Sequence, residues 1–132
     1  MPRERVLVVD DYADAREVYA EYLKFVGYQA ASGADGDAAL RCALQDGCDL
    51  LVLDIAMPNR DGIAILRILR ANPRTEALPV IILSALVGAT VRAEALEAGA
   101  NLFLEKPCTP EELERGIRHV LDGRPTPASH AT

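Results

Sequence analysis

The chain has 132 residues, half of them hydrophobic, 26% charged and 5% aromatic, with a formal net charge of −6 and a pI near 4.9. That length suits one domain with its own core, the apolar half excludes a disordered chain, and no apolar run nears the roughly 20 residues of a membrane span. The acidic balance argues against direct nucleic-acid binding as the main activity. The opening MPRERVLVVDD has no apolar stretch leading to a small-residue cleavage site, so no signal peptide is read. Cys42, Cys48 and Cys108 are odd in number and spaced for neither a disulfide framework nor a zinc site. A soluble cytoplasmic protein is expected, its thiols serving as small packing groups.

Val6-Leu7-Val8-Val9 opens the pattern as a strand. Ala15, Val18, Tyr19, Tyr22, Leu23 and Val26 then recur at helical spacing and predict an inward stripe, stopped by Gly27. Asp14, Arg16, Glu17 and Glu21 fall on the wet face of that helix. Tyr28-Gln29-Ala30-Ala31 is a weaker strand running into Ser32-Gly33 and reads as a sheet edge. Leu40, Ala43 and Leu44 mark a short helix before Gly47. Leu50-Leu51-Val52-Leu53 and Val80-Ile81-Ile82-Leu83 are continuous apolar runs, as in strands covered on both faces. Ile65, Leu66 and Leu69 give a helical stripe between them.

Residues 88–98 are alanine-rich, with only Val91, Ala95 and Ala98 as a stripe, and predict the least securely docked helix, ended by Gly99. Leu102-Phe103-Leu104 is a last short strand. Thr109-Pro110-Glu111-Glu112 then carries an N-cap, a proline at the first helical position and a glutamate three residues after the cap. The stripe Leu113, Ile117, Val120 and Leu121 continues that helix. Residues 123–132 are apolar-poor and are expected to form a flexible tail. Five alternations of strand and helix require crossover connections. The fold class is therefore α/β, doubly wound, with a five-stranded parallel sheet and helices on both faces.

In such sheets ligands sit outside the carboxyl ends of the strands. Asp10-Asp11 follow the first strand, Asp54 the third, Ser84 the fourth, and Glu105-Lys106-Pro107 the fifth. Like charges roughly 5 Å apart at an effective dielectric of ~20 repel by about 3 kcal/mol, and a hard divalent cation, Mg²⁺ above all, relieves that. Lys106 is one of two lysines among fourteen basic residues. A compact ammonium suits a single phosphate oxygen, and the Ser84 hydroxyl can donate to another. A carboxylate nucleophile, a divalent cation, a lysine and a hydroxyl make a phosphoryl-transfer site, where catalysis is positioning and charge neutralisation.

Val9-Asp10-Asp11, Leu53-Asp54-Ile55-Ala56-Met57-Pro58 with Asp61-Gly62, Leu83-Ser84-Ala85 and Phe103-Leu104-Glu105-Lys106-Pro107 together resemble the response-regulator receiver family of two-component signalling. The resemblance implies a receiver domain over residues 1–122 with the flavodoxin-like (βα)5 fold and strand order 2-1-3-4-5. It implies Asp54 as the phosphoacceptor, taking its phosphoryl group from a sensor histidine kinase or a histidine phosphotransfer protein. It further implies Asp10, Asp11, Asp54 and the Ala56 carbonyl as the Mg²⁺ site, with Asp10 acting through a water. Lys106 and Ser84 would partner the phosphoryl oxygens, Ser84 and Phe103 would switch, and the bond to Pro107 would be cis. A downstream protein would bind at helix 4, strand 5 and helix 5, the chain being a monomer or a phosphorylation-dependent dimer. Phe rather than Tyr at 103 leaves that position without a hydroxyl. Ala56 and Leu86 offer no polar side chain to orient water, which predicts a long-lived acyl phosphate.

Plainer readings stand beside these. Asp10-Asp11 would also serve as a helix cap, Ser84 and Lys106 as an ordinary hydroxyl and a solvated charge, and Phe103 as core. Cys108 reads as structural, and His119 and His130 are given no ligand role. No DNA-binding or enzymatic segment is read after the domain, so a stand-alone receiver is favoured over one excised from a hybrid histidine kinase. The expected protein catalyses only its own phosphotransfer and dephosphorylation. A phosphohydrolase working through an aspartyl-phosphate is the alternative from another class, but the paired acids are adjacent and no insertion is long enough for a substrate pocket. Flavin or nucleotide binding is disfavoured, because Asp10-Asp11-Tyr12-Ala13-Asp14 is acidic and lacks glycine.

Overall fold

The computed structural model describes residues 4–55, 62–86 and 88–123. Five strands, β1 (Arg5–Val9), β2 (Gln29–Gly33), β3 (Leu50–Leu53), β4 (Val80–Ser84) and β5 (Leu102–Glu105), form one sheet in the order β2-β1-β3-β4-β5, every pair parallel. The helices are α1 (Ala13–Phe25), α2 (Gly36–Arg41), α3 (Gly62–Ala71), α4 (Ala89–Ala98) and α5 (Pro110–Gly123).

The continuous apolar strands are explained by their period of two, which sends alternate side chains to opposite faces. Leu7, Val9, Leu51, Leu53, Val80 and Ile82 pack with α2, α3 and α4 on one face. Val6, Val8, Leu50, Val52, Ile81 and Leu83 pack with α1 and α5 on the other. Two cores therefore clamp β1, β3 and β4 from both sides and hold their carboxyl ends on one rim. β2 lies at the edge, as its weak pattern implied, although it starts one residue later, with Tyr28 buried just before it.

Other details depart from the pattern. Val18 and Phe25 face solvent, 56% and 85% exposed, because the buried stripe of α1 narrows to Tyr19, Ala20 and Leu23. The short helix before Gly47 changes pitch: α2 stops at Arg41 and a π-helical turn, Cys42–Asp46, completes it, closed by Gly47 N–H donating to the Cys42 carbonyl. α5 runs through Gly123, so the first residue of the expected tail is helical, and residues 124–132 lie outside the described ones. Among the described residues no helix is long and apolar enough to cross a membrane.

Candidate functional site

Four sequence-predicted residues meet at the carboxyl rim. Asp10 leaves β1 with its N–H donating to the Gly33 carbonyl at 3.1 Å, and Asp54 leaves β3 with its N–H on the Val9 carbonyl at 3.0 Å. Both are buried, at 2% and 6% exposure, whereas Asp11 is exposed. One carboxylate oxygen from each of the three lies within 4.8 Å of the others. Lys106, after β5, sends Nζ to Asp10 Oδ2 at 2.7 Å and to Asp54 Oδ2 at 3.5 Å. The helix-cap reading of Asp10-Asp11 is corrected: Tyr12 is the N-cap of α1 and no side chain caps it, while Asp10 Oδ1 accepts the Tyr12 N–H at 2.9 Å just ahead of the helix.

The electrostatics of the rim are dominated by the acids. Each pair of acids within 4.8 Å repels by about 3 kcal/mol at an effective dielectric of ~20, and the ammonium at 3.5 Å returns about 5 kcal/mol to Asp54. Burial works against the charge on Lys106, yet the hydrogen bond it donates to Asp10 and the charges of Asp54 and Asp10 outweigh it and raise its pKa. Three carboxylates and one ammonium still sum to a formal −2, with oxygen donors only, which is the chemistry of a hard divalent cation rather than a soft one. The residues present fit such an ion.

The surrounding backbone explains two sequence features. A Cβ on Gly62 would stand 2.6 Å from both the Asp54 carbonyl oxygen and Ile55 Cα, so only glycine lets α3 begin against the strand end carrying Asp54. The Gly62 N–H donates to the Ile55 carbonyl at 3.2 Å across that approach. The Lys106–Pro107 peptide is cis, and the Lys106 N–H donates to the Ser84 carbonyl at 2.8 Å. Ser84 is fully buried at the end of β4, where its Oγ accepts the Leu86 N–H at 2.9 Å. Phe103 is packed in the core with the Arg92 guanidinium 5.3 Å from its ring centre. Ala56 and Asp61 lie outside the described residues.

The reading of Arg16 as wet-face charge is corrected. Its guanidinium donates to the carbonyls of Asp10 at 3.1 Å and Asp11 at 3.4 Å, from a half-buried position. The Tyr19 hydroxyl likewise donates to the Cys108 carbonyl at 2.7 Å. Both contacts end on main-chain oxygens, which leave no mark in the sequence. Two of the thiols are held protonated: burial, then the neighbouring Cys42, pushes Cys48 up to about 12, and burial, then the Glu112 charge, raises Cys108. Among the described residues no acid or cysteine other than the three aspartates gathers into a metal-ligating group.

A parallel sheet ordered 2-1-3-4-5, bearing three acids and an ion-paired lysine at its carboxyl rim, defines an aspartate-centred signalling module. Residues 6–118 match the response regulator receiver domain, and the chain belongs to that family. Such a module acts on its own phosphoryl group rather than turning over an external substrate. A probable transcriptional regulator, ycf27, of Porphyridium aerugineum is 39% identical over 121 residues, 92% of this chain and 49% of its own length. The chain spans about half the length of the curated relatives it matches. The receiver domain of Francisella response regulator 1452 superposes with a TM-score of 0.84 at 32% identity, covering 91% of this chain and 98% of that one. The signal receiver domain of a histidine kinase from Syntrophus aciditrophicus gives 0.83 at 31%, covering 92% of each.

Proposed function

We propose that Asp54 is the phosphoacceptor of a cytoplasmic two-component signalling receiver spanning residues 1–122. An Asp54 carboxylate oxygen attacks the phosphorus of a phosphohistidine, the P–N bond breaks, and the imidazole leaves as the acyl phosphate forms. The donor is a sensor histidine kinase or a histidine phosphotransfer protein. Asp10, Asp11 and Asp54, with the Ala56 carbonyl, would hold a Mg²⁺ ion, which neutralises charge on the transferring group. Lys106 then exchanges its Asp54 partner for a phosphoryl oxygen, and the Ser84 hydroxyl donates to a second.

The observation that carries this reading is the 4.8 Å cluster of three carboxylates with Lys106 bridging its two buried members. Phosphorylation adds roughly −1.5 to −2 charge at that point. Ser84 lets go of the Leu86 N–H to reach it, which releases the segment leading into α4. Phe103 and Arg92 of α4 repack, and the face made of α4, β5 and α5 changes for a downstream protein or for a second copy of the chain. Leu86 brings an apolar side chain to the rim, in keeping with slow loss of the phosphoryl group.

Incubation with acetyl phosphate and Mg²⁺ tests the reading. One phosphoryl group per chain supports a receiver, whereas sustained turnover of a phosphate ester identifies a phosphohydrolase instead. Phosphotransfer profiling against histidine kinases then identifies the donor. The likeness to a histidine-kinase receiver over 92% of both chains favours a second setting for the same chemistry, a receiver carried within a hybrid kinase.

A further inference from the structure

Resting on that reading, we propose that Arg16 and Tyr19 are positioning residues for phosphoryl transfer, tying the Asp10–Asp11 loop and the Lys106 loop to one turn of α1. Arg16 Nη1 donates to the main-chain carbonyls of Asp10 and Asp11, at 3.1 and 3.4 Å. The Tyr19 hydroxyl donates to the Cys108 carbonyl at 2.7 Å, two residues past Lys106. Three positions apart on a helix, the two side chains leave the same face one above the other. The sheet secures each loop only to a neighbouring strand: Asp10 N–H to the Gly33 carbonyl, Lys106 N–H to the Ser84 carbonyl. α1 joins the two loops to each other.

This linkage sets the quantity on which the chemistry depends. Lys106 Nζ stands 2.7 Å from Asp10 and 3.5 Å from Asp54, and an ångström of drift between the loops would stretch the first contact past hydrogen-bond length and the second past ion-pair length. In a site whose catalysis is positioning, such a displacement slows the reaction without removing any reacting group. Neither Arg16 nor Tyr19 touches the reacting atoms.

The test uses the full chain. Tyr19→Phe keeps the buried ring and deletes the donor, Arg16→Met keeps an apolar stem without charge or fork, and Arg16→Lys restores a charged donor without the fork. Three quantities are read: the Mg²⁺ dissociation constant by calorimetry without phosphodonor, the labelling rate at saturating acetyl phosphate and Mg²⁺, and the melting temperature. Each of Tyr19→Phe and Arg16→Met is expected to slow labelling about fivefold and to weaken Mg²⁺ binding about threefold, the scale of one lost positioning hydrogen bond. Arg16→Lys recovers part of both, and Tyr22→Phe on the same helix changes neither. Variants that melt lower while keeping wild-type Mg²⁺ affinity and labelling rate overturn the inference and leave the function standing. A wild-type chain that neither binds Mg²⁺ nor labels overturns both.

Discussion

The two helices that flank β5 are held in opposite ways. α5 buries Leu113, Ile117, Val120 and Leu121 against the sheet, and Gly116 lets it close to within about van der Waals contact of Leu102 and Leu104. Its entry is a reciprocal capping box: the Thr109 N–H donates to Glu112 Oε1 at 2.9 Å, and the Glu112 N–H donates to Thr109 Oγ1 at 3.1 Å. α4 buries only Ala95 and Ala98, and its N-cap, Gly88, has a φ of 122° and no side-chain bond. Its far end is pinned, because Arg70 donates to the Gly99 carbonyl at 2.8 Å and to Asn101 Oδ1 at 3.0 Å. The uncapped end of α4 is thus the end that follows Ser84, whereas the far end is anchored. α5 is the firmer of the two helices and α4 the softer.

The largest test of that contrast removes core from each helix. Ile117→Ala in α5 should cost about 3 kcal/mol in denaturant unfolding, whereas Val91→Ala in α4 should cost below about 1 kcal/mol. Equal costs would erase the distinction. Native-state hydrogen exchange sharpens it, with α4 amides expected to exchange well before those of α5.

Next in size is Mg²⁺. At ten times its dissociation constant the ion should stabilise the wild type by about 1.4 kcal/mol, seen as a rise in melting temperature. Without Mg²⁺, Asp54→Asn removes two repulsions of about 3 kcal/mol each and forfeits an attraction of about 5 kcal/mol to Lys106, so it should melt only slightly higher than wild type. A lower melting temperature would mean that Lys106 outweighs both acids.

Smaller still, Thr109→Ala should cost about 1 kcal/mol through the lost cap. The smallest effect is on pH. The Thr109 backbone N–H, then its side chain, holds the Glu112 carboxyl below the usual range. A lowered folded pKa means the contribution is complete above the unfolded value of about 4.3 and is lost as pH falls through the folded one. The melting gap between wild type and Glu112→Gln should therefore be widest near neutrality and close in acid.

Much of this was legible in the sequence because both periodicities are strong. The doubly buried strands announced themselves as continuous apolar runs, and the residues at their carboxyl ends named the site. The weak docking of α4 was visible in its alanines. What the sequence hid were contacts without side-chain complementarity. Arg16 looked like solvated charge because its partners are carbonyl oxygens, which every residue carries. Glu114 drew no reading from its spacing, yet it is 5% exposed, held by Arg118 one turn on along α5 and by the Tyr28 hydroxyl from just before β2. Val18 belonged to the apolar stripe by spacing but not by burial, since α5 covers only part of that face. The π-helical turn at Cys42–Asp46 left no signal, because a change of pitch over one turn barely shifts the stripe.

The most direct test of the central claim is the intact mass of wild type and Asp54→Asn after acetyl phosphate treatment, with and without Mg²⁺. The account predicts a gain of one phosphoryl group in the wild type, dependent on Mg²⁺, and none in Asp54→Asn. A wild-type mass that stays unchanged, or an equal gain in Asp54→Asn, would contradict it.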